Sequence, residues 1–163
     1  MKRIMELIEG SDVPVCAYVY PIGASAWSGG TFVLMSAHVA VMAPGTTIGS
    51  CQPTVGWEPV NYSKYVNALS ELMVAHAKLH CRNETAARAF VEENLNLEAS
   101  KALEYGVVEM IASDLTELLV MLSQKKLVQF SDEAGNVRWK LVNKDESVEG
   151  KVLKEFGFEE EIW

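Results

Sequence analysis

Val15-Cys16-Ala17-Tyr18-Val19-Tyr20-Pro21-Ile22-Gly23-Ala24-Ser25-Ala26-Trp27-Ser28-Gly29-Gly30-Thr31-Phe32 is the stretch that decides the fold. Its opening, entered through Pro14, is an unbroken apolar run. Such runs mark strands buried on both faces, the kind found in parallel sheets. Gly23 to Gly30 turns the chain, and Phe32 to Met35 leaves as a second apolar run. A serine flanked by glycine at a strand-to-helix turn can be held clear of the sheet as a nucleophile. Two serines compete for that place. Gly23-Ala24-Ser25-Ala26-Trp27 starts like a nucleophile elbow but ends on Trp where the pattern has Gly. Ser28-Gly29-Gly30 leaves backbone N–H groups unobstructed beside its hydroxyl, which acyl transfer requires. The commoner alternative is a small residue in a tight turn.

Working outward, the sequence predicts a helix over 2–9, a strand over 13–20, a short helix over 31–37 and a second apolar strand over 39–43, stopped by Pro44-Gly45. Residues 46–53 read as loop or extended chain, and 56–61 as loop. Val66, Leu69, Met73, Ala77 and His80 recur at steps of three and four, predicting a helix over 63–81. Asn83 is placed to cap a helix over 84–93. A short helix over 98–105 should end at Gly106 in the left-handed conformation. A strand follows over 107–111. Asp114 with Glu117 three residues on should start a helix to about Ser123. Two strands, 127–130 and 137–142, flank the turn sequence Asp132-Glu133-Ala134-Gly135-Asn136. Alternating strands and helices over 13–124 predict an α/β fold with a largely parallel sheet and flanking helices. Residues 1–124 then form the main domain, and 125–163 an acidic C-terminal appendage built on a β-hairpin.

Composition narrows the function. The chain has 163 residues and a net charge of −8, which argues against nucleic acid as a partner. No apolar stretch approaches the roughly 20 residues that span a bilayer. The first residues carry Lys2, Arg3, Glu6 and Glu9 and lack the apolar core of a secretory signal, so a cytoplasmic setting is expected. Cys16, Cys51 and Cys81 form no Cys-x-x-Cys pair, and no nucleotide, calcium or zinc signature is present. No cofactor and no metal are expected.

A nucleophilic serine needs a base. His38 lies between a helix and a strand, where it can cap the helix. His76 and His80 share one helical face, but Ala77 and Lys78 stand where a His-Glu-x-x-His metal motif has its glutamate side, so a partly buried pair is the simpler reading. Lys64 opens the 63–81 helix among Tyr62, Tyr65 and Val66. Apolar neighbours and a helix N-terminus both disfavour a cation, and a neutral lysine can act as general base. An exposed lysine at a helix start is the plain alternative.

Four ordered segments add a resemblance. Residues 20–32 resemble the serine segment of the NfeD-type membrane-associated serine peptidases, and Met42-Ala43-Pro44-Gly45-Thr46-Thr47-Ile48-Gly49 the segment that follows it. Lys64-Tyr65-Val66-Asn67, with Arg82-Asn83 beyond, resembles the helix that carries the family's lysine. Residues 102–109 resemble a helix–Gly–strand element of the wider Clp-protease/crotonase superfamily. The resemblance spans about residues 10–122. It implies a Clp-protease/crotonase-like layered fold and a Ser–Lys dyad: Ser28 as nucleophile, Lys64 as base and the Gly29 N–H as oxyanion donor. It also implies substrate contacts at Gly30, Thr46, Thr47 and Ile48. The implied activity is ATP-independent cleavage of apolar segments of membrane-associated proteins such as stomatin relatives. The implied setting is peripheral to the membrane, as a homodimer or larger assembly. Two departures stand out: the family's first strand and Gly-Gly turn would precede residue 1, implying a shortened member, and Cys81 replaces a Gly before Arg-Asn. A catalytically impaired peptide-binding or assembly module of the same fold is the alternative. Crotonase-like acyl-CoA chemistry is allowed by 102–109 but not favoured by the Ser28 and Lys64 segments.

Overall fold

The computed structural model describes residues 1–59 and 62–157. Val60 and Asn61, at the end of the expected 56–61 loop, and the last six residues of the expected appendage lie outside the described residues.

Helix α1 (Lys2–Glu9) precedes β1 (Cys16–Val19). The glycine-rich turn contains a short strand, β2 (Ser25–Trp27), and then α2 (Gly29–Ser36). After β3 (Val39–Met42) come β4 (Thr47–Gly49) and a small hairpin, β5 (Thr54–Val55) and β6 (Glu58–Pro59). Two helices follow, α3 (Ser63–Leu79) and α4 (Glu84–Glu92), then β7 (Asn96–Glu98), α5 (Ala99–Glu104), β8 (Met110–Ile111) and α6 (Leu115–Leu122). The chain continues through β9 (Lys125–Ser131), β10 (Val137–Asn143) and β11 (Lys151–Glu155).

The strands form layers rather than one sheet. β1, β3 and β8 pair in parallel, with β3 central. β2, β4 and β7 make a second sheet, parallel between β2 and β4 and antiparallel between β4 and β7. β9 lies between β10 and β11 in an antiparallel sheet. The two faces of β3 lie in two different cores. Its side chains alternate in direction, as in any strand. Ala40 and Met42 join the cluster that holds Phe32, Met35, Met73 and Phe90. Val39 and Val41 join the one that holds Leu118, Leu122, Leu127 and Phe156. All four are fully buried, which is what an uninterrupted apolar run requires. Full burial of a Val or Met side chain is worth about 1.5–3 kcal/mol.

Three local expectations hold in detail. Asn83 accepts from the Ala86 N–H at 2.9 Å. Asp114 accepts from the Glu117 N–H at 2.8 Å. Gly106 has φ 72°, the left-handed geometry that ends the preceding helix. Other boundaries move. α2 starts at Gly29 rather than Thr31. Glu98 caps α5 by accepting from the Ser100 N–H at 2.9 Å instead of opening the helix. The expected hairpin forms with the register Leu127–Leu141 and gains a third strand, β11. Leu127 and Phe156 reach into the same cluster as Val39 and Val41, so this sheet shares a core with the rest of the chain.

Candidate active site

Ser28 sits at the junction of β2 and α2, at φ 53° and ψ −116°. A side chain at positive φ is strained, typically by about 1–3 kcal/mol, and persists only where its surroundings enforce it. Here they do. The Ser28 N–H donates to Gly49 O at 2.8 Å. The fully buried Thr31 hydroxyl accepts from the Gly49 N–H at 2.8 Å and faces Ala26 O at 2.7 Å and Gly49 O at 3.1 Å. The buried Cys51 thiol points at Ser28 O and Gly49 O, 3.6 and 3.4 Å away. Burial pushes that thiol up to about 11, so it stays protonated and can donate. Strand β4 is thereby fastened to both sides of the serine. Gly49 itself must be glycine: its φ is +111°, and a Cβ would lie 2.1 Å from Leu95 O.

The turn leaves the serine free to react. Ser28 is exposed, and its hydroxyl makes no capping bond to the helix it precedes. Among the described residues, the N–H groups of Gly29 and Gly30 donate to no backbone carbonyl. Free N–H groups in the first turn of a helix make a ready site for negative charge. Gly30 closes against β2, since a Cβ there would lie 3.3 Å from that of Ala26. A cleft of about 270 Å³ runs alongside, lined by Tyr18, Tyr20, Ser25, Ala26, Gly30 and Val33 among others.

The remaining expected site residues fall in different places. Thr46 is fully buried, and its hydroxyl donates to Ala43 O at 2.7 Å. Ile48 is fully buried in the core. Neither side chain reaches the surface that carries Ser28, because the register of β4 points them inward. Thr47 faces outward, accepting from the Trp27 indole N–H at 2.9 Å and donating to the Ser25 hydroxyl at 3.2 Å. That bond engages Ser25 in β2. Lys64 lies in the first turn of α3, exposed, on an open apolar surface formed with Tyr62, Tyr65 and Ala68. Among the described residues, no hydrogen bond joins Lys64 to Ser28. The neighbours expected to enclose Lys64 are present, but they leave it open to solvent.

All three histidines cluster on another face. Glu9 accepts from His76 Nδ1 at 2.6 Å and His80 Nε2 at 2.8 Å. Burial opposes ionisation of Glu9, but the two imidazole hydrogen bonds outweigh it and hold its carboxyl down at about 2. His38 accepts from the Val15 N–H at 3.0 Å instead of capping the helix before it. Among the described residues, no group of three His, Cys, Asp or Glu side chains is placed to hold a metal. None of the three cysteines is in a disulfide. No helix of the described residues is long and apolar enough to cross a membrane.

Thr31, Gly49 and Cys51 were all visible in the sequence, yet nothing in the local pattern marked them. Their roles come from the pairing of β2 with β4, a contact across about twenty residues of chain that no periodicity encodes.

The layered α/β sheets with flanking helices match a Clp-protease/crotonase-like fold. Comparison with known proteins bears out the resemblance to the NfeD-type proteases. The chain is 41% identical over 125 residues to the membrane-bound protease PH1510 of Pyrococcus horikoshii, an alignment covering 73% of this chain and 28% of that protein. It is similar in structure to 1510-N, a membrane-bound stomatin-specific protease. A lysine-to-alanine mutant of 1510-N with a substrate peptide matches at TM-score 0.73 and 37% identity, over 77% of this chain and 59% of that one. A serine-to-alanine mutant matches at 0.71 and 38%, over 77% and 63%. The chain thus spans less than two thirds of each of these relatives. An enoyl-CoA hydratase/isomerase from Marinobacter aquaeolei matches at TM-score 0.51 and 18% identity, over 75% of this chain and 40% of that one, a likeness of fold alone. No family model matches the sequence.

Proposed function

We propose that the chain is a serine peptidase in which Ser28 is the nucleophile and Lys64 the general base. The observation that carries this reading is Ser28 itself: exposed, held at positive φ by β4, and followed by two N–H groups that donate to no backbone carbonyl among the described residues. In the proposed reaction the neutral Lys64 amine takes the Ser28 proton as the hydroxyl oxygen attacks a peptide carbonyl. The oxyanion forms against the Gly29 N–H, an interaction worth about 2.7–4 kcal/mol where a donor of this kind has been removed. Collapse breaks the C–N bond, and the Lys64 ammonium returns the proton to the leaving amine. Water, deprotonated by Lys64, then hydrolyses the acyl-enzyme.

The substrate class follows from the surroundings. The cleft beside Gly30 is walled by Tyr20, Ala26 and Val33, and Lys64 lies among Tyr62, Tyr65 and Ala68. An apolar peptide segment suits both surfaces and would strip water from the lysine as it binds. Segments of membrane-associated, stomatin-like proteins fit this chemistry, with the protein peripheral to the membrane, independent of ATP and assembled as a homodimer or larger. Residues 1–124 would supply the peptidase unit and 125–163 the acidic appendage. The test is hydrolysis of an apolar peptide by the wild type, Ser28→Ala and Lys64→Ala. Turnover by the wild type that both substitutions abolish supports the dyad, and equal rates in all three would sink it. One observation favours a second reading. With no bond between Lys64 and Ser28, the same surfaces suit a module that binds apolar peptides without cleaving them. Peptide binding that survives in the wild type without any cleavage would select that alternative.

A further inference from the structure

Strand β2 lies at an edge of its sheet and runs directly into Ser28. It pairs with β4 alone, and among the described residues no strand pairs with its other side. Ala24 O accepts from the Thr47 N–H at 3.1 Å, and the Ser28 N–H donates to Gly49 O at 2.8 Å. Main-chain groups alternate in direction along a strand. Ala24, Ala26 and Ser28 therefore turn theirs to β4, while Ser25 and Trp27 turn theirs to the open edge. Such an edge, with N–H and C=O groups unpaired, is a template for a further strand. The cleft beside Gly30 runs along it, since Ser25 and Ala26 line that cleft.

Trp27 gives this edge a side-chain preference. It directly precedes Ser28 and keeps 55% of its surface exposed. The register sets it opposite Gly49, which has no side chain to hold the indole off β4. The indole N–H donates to Thr47 Oγ1 at 2.9 Å, and Thr47 donates to Ser25 Oγ at 3.2 Å. An indole has one donor and no acceptor. With that donor engaged, the exposed remainder of the ring is apolar. The ring is also held before anything binds, which lowers the ordering cost of a contact. Added strands gain affinity from main-chain bonds and selectivity from alternate side chains. We propose that a peptide adds to the open edge of β2 as a further strand, and that Trp27 selects a bulky apolar side chain on the face it shares. This rests on the reading that an apolar peptide reaches Ser28, and it names how that peptide is held.

Fluorescence anisotropy tests this on the full chain carrying Ser28→Ala, so that binding is read without turnover. The probe is a fluorescein-labelled heptapeptide of alternating leucine and serine, and its counterpart has alanine for each leucine. The leucine peptide should bind saturably and at least about tenfold more tightly. Trp27→Ala should bring the two within about threefold of each other. The ratio is the readout because a disturbed fold would weaken both peptides alike. Alternate residues of an added strand turn their N–H groups toward β2 and away from it. N-methylation at the leucines and at the serines should therefore differ in effect by at least about tenfold. No saturable binding, a leucine-to-alanine ratio unchanged by Trp27→Ala, or equal losses from both sets of N-methyl groups would overturn the proposal. Cleavage of the leucine peptide by the wild type is read separately. Its absence, with the binding pattern intact, would count against the peptidase and leave the added strand standing.

Discussion

Thr31→Val tests whether the strained serine is held by its neighbours. The two side chains have nearly the same shape, so the change removes a hydroxyl and little volume. Thr31 is fully buried. Its oxygen serves the Gly49 N–H at 2.8 Å, and its proton lies between Ala26 O at 2.7 Å and Gly49 O at 3.1 Å. In the valine variant the Gly49 N–H loses its partner. Leaving one buried donor unsatisfied costs about 1–3 kcal/mol. For a chain of this size about 1 kcal/mol lowers Tm by about 2–4 °C, so a drop of about 2–12 °C is expected by scanning fluorimetry. With the clamp loosened, Ser28 can relax toward negative φ, releasing strain of about 1–3 kcal/mol. Well below the new Tm, acylation of Ser28 by a fluorophosphonate should then slow by about tenfold to a hundredfold, at about 1.4 kcal/mol per factor of ten. Thr31→Ser keeps the hydroxyl and should restore most of both. A Tm within about 1 °C of wild type, with unchanged labelling, would refute the claim that Thr31 enforces the serine's geometry.

Acid should destabilise the fold through the buried histidines. Burial, with the nearby Arg82 charge, holds His38 and His80 below their ordinary range. The unfolded chain therefore takes up more protons as pH falls through about 6.5, and stability present above that value is lost toward the folded pKa, by up to about 1.4 kcal/mol per pH unit for each histidine. Glu9, held at about 2, adds a further loss below its ordinary value of 4.5. Urea unfolding at pH 7.5 and 5.5 checks this, and a midpoint that does not fall on acidification contradicts it. Arg82 provides a separate test. Its buried guanidinium binds Met35 O at 2.8 Å, Ala37 O at 2.9 Å and Glu109 at 2.6 and 3.0 Å. Arg82→Met should cost about 3–5 kcal/mol by stranding the carboxylate, and adding Glu109→Leu should recover part of that loss. Additive losses in the double variant would show that the two residues are not coupled.

The elements legible in the sequence are those whose signals are local. Unbroken apolar runs gave β1 and β3, and three-and-four spacing gave α3. Asn83, Asp114 and Gly106 were readable because a cap or a left-handed turn needs a particular side chain at one position. β2, β4 and β7 were not legible as a sheet. Each has three residues, and what makes them strands is pairing across long stretches of chain. The same holds for the Glu9 bridge to His76 and His80, which joins residues 67 and 71 positions apart. β11 carries Lys151, Lys154 and Glu155, so its apolar signal is too diluted to announce a strand. In the site, Ser28 was separable from Ser25 because glycine follows one and not the other. The burial of the Thr46 and Ile48 side chains was not legible, because which face of a three-residue strand turns inward is set by its pairing partners.

Mass spectrometry of the fluorophosphonate-treated chain addresses the central claim most directly. The account predicts one adduct, on Ser28, absent from Ser28→Ala and strongly reduced in Lys64→Ala. No adduct on Ser28 in the folded wild type, or an adduct on Ser25 instead, would contradict it.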